Sequence, residues 1–158
     1  SSPVLFIPSR RDTGSLSGKT NVYEAQMVAD WAERIWKESP EAFDAHRTLG
    51  IITPYRSQIA LIRKQLQRKG ILALLDISVD TVERYQGSER DVIIYSFCVN
   101  HRYQLKFLPN LTEENGVLID RKLNVALTRA RKRMIVIGVP ELLKENPIYH
   151  HFISSYSV

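Results

Sequence analysis

The polar residues of this chain point to phosphate chemistry, and they fall in four segments. The first, Gly14-Ser-Leu-Ser-Gly18-Lys19-Thr20, has the residue types of a phosphate-binding loop. Such a loop wraps phosphate with successive N–H groups and needs about four residues between its glycines. Here three intervene and no strand ending in acid accompanies them, so the segment reads as a decoy. The second, Thr53-Pro54-Tyr55-Arg56-Ser57-Gln58, sets a hydroxyl and a helix N-terminus at a strand end. That arrangement can cradle a ligand phosphate or a nucleic-acid backbone. The same residues also make an ordinary strand-to-helix turn with a Thr cap, in which Tyr55 belongs to the core. The third runs from Thr81 through Glu83, Gln86, Gly87 and Glu89 to Asp91, then into the apolar Val92-Ile-Ile-Tyr-Ser. Gly87 permits close backbone approach, with Gln86 and Glu89 as acceptors beside it. The plainer reading is a charged turn with Glu89 and Arg90 in solvent. The fourth, Arg121 to Arg133, holds six basic residues in thirteen. That is more than a helix end needs to complement its dipole, and it leans towards anion contact.

The elements that must position these segments follow from periodicity. Val4 to Ile7 reads as a short buried strand and residues 8–20 as a loop. Asn21 and Glu24 have capping-box spacing. The helix they open carries Val22, Ala25, Val28, Ala29, Ala32, Ile35 and Trp36 on one stripe, with Trp31 off it. Leu49 to Thr53 is a strand. Pro54 then starts a helix with Tyr55, Ile59, Ile62 and Leu66 on one face and Gly70 at its end. Residues 76–82 form a weaker strand, Asp91 to Phe97 a strong one, and 98–118 a long loop. A helix is expected over 120–131, burying Leu123, Ala126, Leu127, Ala130 and Met134. On a regular helix Arg129 lies about 120° to one side of that stripe's centre and Arg131 about 80° to the other, so the two would not grip one phosphate. Arg133 to Val139 is a strand, Pro140 opens a short helix, and 147–155 forms another. Alternating strands and helices imply one α/β domain, a mainly parallel sheet with helices on both faces. Ligands meet the loops past the carboxyl ends of such strands.

Composition narrows the setting. The chain has 158 residues, 44% apolar and 25% charged, ordinary values for a globular domain. No apolar run reaches the roughly 18 residues of a membrane span, and no signal peptide is expected. The chain begins at Ser1 rather than Met, which makes a fragment the expectation. A single cysteine, Cys98, suits a reducing intracellular compartment. Lys and Arg exceed Asp and Glu by 22 to 17, which is compatible with a polyanionic partner without requiring one. The four histidines have no metal-ligand spacing, so no metal site is expected.

Taken in order, Asn21 to Ala25, Ile51-Ile-Thr-Pro-Tyr-Arg-Ser-Gln58, Val82 to Ser96 and Leu123-Asn-Val-Ala-Leu-Thr-Arg-Ala-Arg131 form a pattern that spans nearly the whole chain. It resembles the second RecA-like lobe of superfamily 1 helicases, in the branch of the nonsense-decay helicase and the replication nuclease-helicases. Glu83, Tyr85 and Lys122 stand where that pattern more often has Asp, Phe and Arg. The resemblance implies a RecA-like P-loop NTPase fold over residues 1–158. It implies that Arg129 is an arginine finger for the γ-phosphate, and that Gln86, Gly87, Glu89 and Arg131 line the ATP side of a cleft. Thr53, Pro54, Tyr55 and Thr81 would touch nucleic acid on the opposite rim. The implied cofactor is ATP with Mg²⁺, whose ligands lie in a first RecA-like lobe of the same polypeptide. The implied partner is single-stranded DNA or RNA, with 5′→3′ movement. Two rivals stand beside this reading. One is a non-catalytic nucleic-acid-binding module of helicase-like fold, and the other a small P-loop kinase or NTPase centred on Lys19. His101, Arg102, Tyr103, Lys106 and Phe107 could stack on bases, although ordinary surface loops have similar compositions.

Overall fold

The computed structural model describes residues 3–85, 88–107, 111–114 and 117–156. The strands are β1 (Val4–Pro8), β2 (Leu49–Ile52), β3 (Ser78–Asp80), β4 (Arg90–Ser96), β5 (Leu111–Glu114), β6 (Val117–Asp120) and β7 (Ala130–Gly138). The helices are α1 (Val22–Glu38), α2 (Arg56–Arg68), α3 (Gln104–Phe107), α4 (Arg121–Thr128), α5 (Pro140–Leu143) and α6 (Pro147–Tyr156). Five strands form one sheet in the order β1-β7-β4-β2-β3, and every pairing in it is parallel.

The apolar runs of β4 and β7 are continuous because both faces of the sheet are covered. Val92 and Ile94 of β4 and Ile135 and Ile137 of β7 pack on the same side as Ala25, Val28, Ala29 and Ala32 of α1 and Ile62 and Leu66 of α2. Ile93, Tyr95, Met134 and Val136 alternate to the other side, against Leu123 and Ala126 of α4, Leu143 of α5, and Tyr149 and Ile153 of α6. The expected α/β architecture with helices on both faces is therefore present.

Two of the expected elements take another form. The stretch 98–118 is not a plain loop: it contains α3, β5 and the start of β6, with β5 and β6 paired antiparallel. The helix expected over 120–131 covers only Arg121–Thr128, because the Arg129 carbonyl accepts the Arg90 N–H at 2.8 Å and Ala130 is already in register with β4. Arg131 therefore lies on a strand. Pairing with the central strand outweighs the helical periodicity of Ala130 and Arg131.

Candidate functional site

Parallel strands give the sheet two chemically distinct edges, and the candidate residues divide between them. At the amino edge β4 and β7 begin side by side, joined by the bond from Arg90 to Arg129. Glu89 is exposed, but Arg90 is only 7% exposed. Its guanidinium donates to the Ser88 hydroxyl, to the Glu89 carbonyl at 3.0 Å and to the Ser78 hydroxyl at 3.2 Å. It also lies 5.7 Å from the centre of the Tyr85 ring. Arg129 is half-buried, and its Nε is buried with no hydrogen-bond partner among the described residues. Burial raises the Tyr85 hydroxyl above its ordinary value of 10.0, and the charges of Arg90 and Arg129 oppose that rise. The two arginines are thus joined through their backbones, and the charges of both act on the Tyr85 hydroxyl. Guanidinium stays charged and matches phosphate oxygens in pairs.

Gln86 and Gly87 lie outside the described residues. Arg131 is exposed, pairs with Asp91 at 3.1 Å and donates to the Arg47 carbonyl at 3.0 Å, partners that Arg129 does not share. Glu83 and Lys122, two positions that depart from the family pattern, meet in an ion pair at 3.2 Å. Each departure thus has the other as its partner. Arg90 is the residue that sequence reasoning underrated; the signal was an arginine leading directly into the strongest apolar strand.

At the carboxyl edge Thr53 follows β2 and Thr81 follows β3. Thr53 is fully buried; its N–H donates to the Asp80 carbonyl at 3.1 Å and its hydroxyl to the Ser96 carbonyl at 2.9 Å. It is therefore not the cap of α2. The cap position is Tyr55, which makes no side-chain capping bond. Thr81 is 7% exposed, and its carbonyl accepts from the N–H groups of Arg84 and Tyr85. Pro54 and Tyr55 are half-buried and form the accessible part of this rim.

Beneath the rim is a buried polar network that periodicity did not reveal. Asn21 caps α1 as expected, accepting from the Glu24 N–H at 2.9 Å. The Glu24 side chain does not return to the Asn21 N–H, as a capping box requires. That N–H goes to Gln58 Oε1, at 2.9 Å. The Glu24 carboxylate accepts instead from the Ser9 and Ser96 hydroxyls, each at 2.7 Å, and from the Cys98 N–H at 3.0 Å. It is completely buried, and burial pushes its pKa up to about 7 against these three donors. Asn100 and Gln104 extend the network: Gln104 donates to the Tyr55 hydroxyl at 3.2 Å and to the Cys98 carbonyl at 3.1 Å.

In and beside the loop around Lys19, several N–H groups are already engaged by the chain itself. Gly14 and Val22 donate to the Asp12 carboxylate, Ser15 to the Asp12 carbonyl, and Lys19 to the Ser17 hydroxyl. Among the described residues no group of three or more His, Cys, Asp or Glu could hold a metal ion. No helix among them is long and apolar enough to cross a membrane.

An all-parallel five-stranded sheet covered by helices on both faces is the architecture of a RecA-like α/β lobe. The AAA domain family model matches residues 2–141, and the chain belongs to that family, as the second lobe of superfamily 1 helicases. It is 36% identical over 159 residues to the "Regulator of nonsense transcripts 1 homolog" of Drosophila melanogaster, covering 98% of this chain and 12% of that protein. It is 33% identical over 156 residues to an ATP-dependent helicase of Methanocaldococcus jannaschii, covering 96% of this chain and 20% of that protein. The chain thus spans a fifth or less of these relatives. The fold is similar to the C-terminal domain of a possible DNA helicase from Lactobacillus plantarum, with TM-score 0.50 and 16% identity over 87% of this chain and 73% of that one.

Proposed function

We propose that this chain is the C-terminal motor lobe of a nucleic-acid-dependent ATPase that moves along single-stranded DNA or RNA. The observation that carries the reading is Arg129, half-buried beside Arg90 at the amino edge, with a buried Nε that no described residue engages. Arg129 would meet the γ-phosphate of ATP bound by a first RecA-like lobe of the same polypeptide. That lobe would also hold the Mg²⁺. Glu89, with Gln86 and Gly87, would line the same cleft. Arg131 is the outer member of the set, because Asp91 already engages it. At the opposite edge Pro54 and Tyr55 would contact the nucleic-acid backbone, with Thr53 and Thr81 as the buried supports of that rim.

Phosphoryl transfer is catalysed mainly by positioning and charge neutralisation, and an arginine finger contributes roughly 10³–10⁵ in rate. The test is nucleic-acid-stimulated ATP hydrolysis by a polypeptide carrying both lobes. Arg129→Ala should silence it and Arg129→Lys should leave little, with single-strand binding nearly unchanged. Equal loss of turnover and binding would remove the assignment. Hydrolysis by the present chain alone, lost with Lys19→Ala, would overturn the reading as a whole.

A further inference from the structure

The segment read as a phosphate-loop decoy has a different place in the molecule. Gly18 has φ +73°, and a Cβ there would stand 2.8 Å from both His101 Cδ2 and the Tyr103 hydroxyl oxygen. The loop between β1 and α1 is therefore pressed against the loop after β4. Asn100 fastens the two together: its Nδ2 donates to the Gly18 carbonyl at 2.9 Å and the Thr20 carbonyl at 2.7 Å, and its Oδ1 accepts from the Asp12 N–H at 2.9 Å. Gln104 Oε1 accepts from the N–H groups of both Asn100 and His101, while its Nε2 donates to the Tyr55 hydroxyl. The proposed nucleic-acid rim at Tyr55 is thus tied directly to the His101 loop.

This scaffold presents an aromatic ring and a cation to solvent. The Tyr103 ring is stacked on His101, with centroids 5.4 Å apart and planes 12° from parallel, and Tyr103 is 51% exposed. Its hydroxyl donates to the Ser17 carbonyl at 3.4 Å. Lys19 is exposed and lies 5.8 Å from the centre of the Tyr55 ring, and its carbonyl accepts from the Ser57 hydroxyl at the start of α2. Lys19 makes no ion pair among the described residues, whereas the nearby Arg102 is engaged by Glu145 at 2.9 Å. A ring fixed in advance by stacking and by a hydrogen bond loses little entropy when a base settles on it. A lysine next to a rim that meets phosphates neutralises one more.

We propose that Lys19, His101 and Tyr103 form an extension of the single-strand track, with a backbone phosphate at Lys19 and a base stacked on Tyr103. The proposal rests on the rim at Pro54 and Tyr55 being a nucleic-acid surface, and lengthens it by about one nucleotide. It is specific for single strands, since a base within a duplex has no free face to offer.

The experiment uses this chain and an oligothymidylate carrying one 2-aminopurine, whose fluorescence falls on stacking, titrated at several salt concentrations. Tyr103→Leu and Tyr103→Ala should weaken binding roughly tenfold and abolish the quenching, whereas Tyr103→Phe should retain both. Lys19→Ala should reduce the slope of log K against log salt by about 0.7, the value for one single-strand phosphate contact. Tyr55→Ala reports on the rim by itself. If Tyr55→Ala weakens binding while the Lys19 and Tyr103 variants match the parent in affinity, quenching and slope, the extension is wrong and the rim stands. If the parent chain binds no single strand even at low salt, both fall.

Discussion

Glu24 makes the stability of this domain depend on pH in the direction opposite to an ordinary paired carboxylate. Three donors surround its carboxylate and, among the described residues, no cation pairs with it, so burial dominates and its pKa rises from 4.5 to about 7. In the unfolded chain the same group titrates near the ordinary value. Between about 4.5 and about 7 the folded state therefore binds the proton more tightly. The stabilisation is complete below the unfolded value and is lost as pH rises through the folded one. At 1.36 kcal/mol per tenfold change in proton affinity, the full swing is about 3 kcal/mol. Gln fits the same site without charge: its carbonyl can keep the bonds from Ser96 and the Cys98 N–H, and its amide can donate to the Ser9 hydroxyl. Urea unfolding of the parent and Glu24→Gln at pH 5 to pH 8 isolates this group, since every other titration is common to both. The two should be similar near pH 5. By pH 8 Glu24→Gln should be the more stable, by up to about 3 kcal/mol. A difference that stays constant across this range would refute the reasoning. Glu24→Ala should be destabilised at every pH, by about 1–3 kcal/mol, because it leaves the buried Cys98 N–H without an acceptor.

Further outcomes follow from the same structure. Arg129→Lys in a polypeptide with both lobes should lower ATP turnover by at least roughly 10³ while single-strand affinity stays within a few-fold, measured by steady-state hydrolysis and anisotropy. Gly50→Ala should cost about 1–3 kcal/mol in urea unfolding, since its Cβ would stand 1.9 Å from the Tyr85 hydroxyl oxygen. Breaking the partly exposed Glu83–Lys122 pair with Glu83→Ala should cost less than about 1 kcal/mol by the same measurement. Cys98 is fully buried and burial pushes its thiol pKa up, so a chromogenic disulfide reagent should label it only at the rate of unfolding.

Legibility varied with the kind of interaction that places each residue. The five strands of the sheet and helices α1 and α2 are set by local apolar patterns, which a sequence displays directly. Arg131 was misplaced because Ala130 and Arg131 continue the helical period of Leu123 and Ala126, while the strand that claims them pairs with Arg90, far away in the sequence. The β5–β6 pair falls within the stretch read as a loop, because each of its strands has only four residues, too few to display a period. Glu24 was the hardest to read. Its spacing from Asn21 fits a capping box, but its partners Ser9, Ser96 and Cys98 come from two other strand ends. No local pattern separates a buried carboxylate from an exposed one.

The two candidate edges are joined by β4. It begins at Arg90, beside Arg129, and ends at Ser96, whose carbonyl holds Thr53 and whose hydroxyl holds Glu24. Seven residues of strand span roughly 23 Å at about 3.3 Å per residue. This strand is central, paired on both sides and packed on both faces, so it does not stretch or slide. On the proposed function, a phosphate contact at Arg129 therefore cannot be relayed by deformation within the lobe. It must turn the lobe as one body, and the rim at Tyr55 moves with it. The residues between the edges then matter by being stiff. Substitutions that loosen the carboxyl end of β4, with Ser96→Ala the mildest, should uncouple hydrolysis from movement along the strand while leaving each binding step nearly intact. A loss of ATP turnover in step with movement would show that β4 serves the nucleotide edge alone.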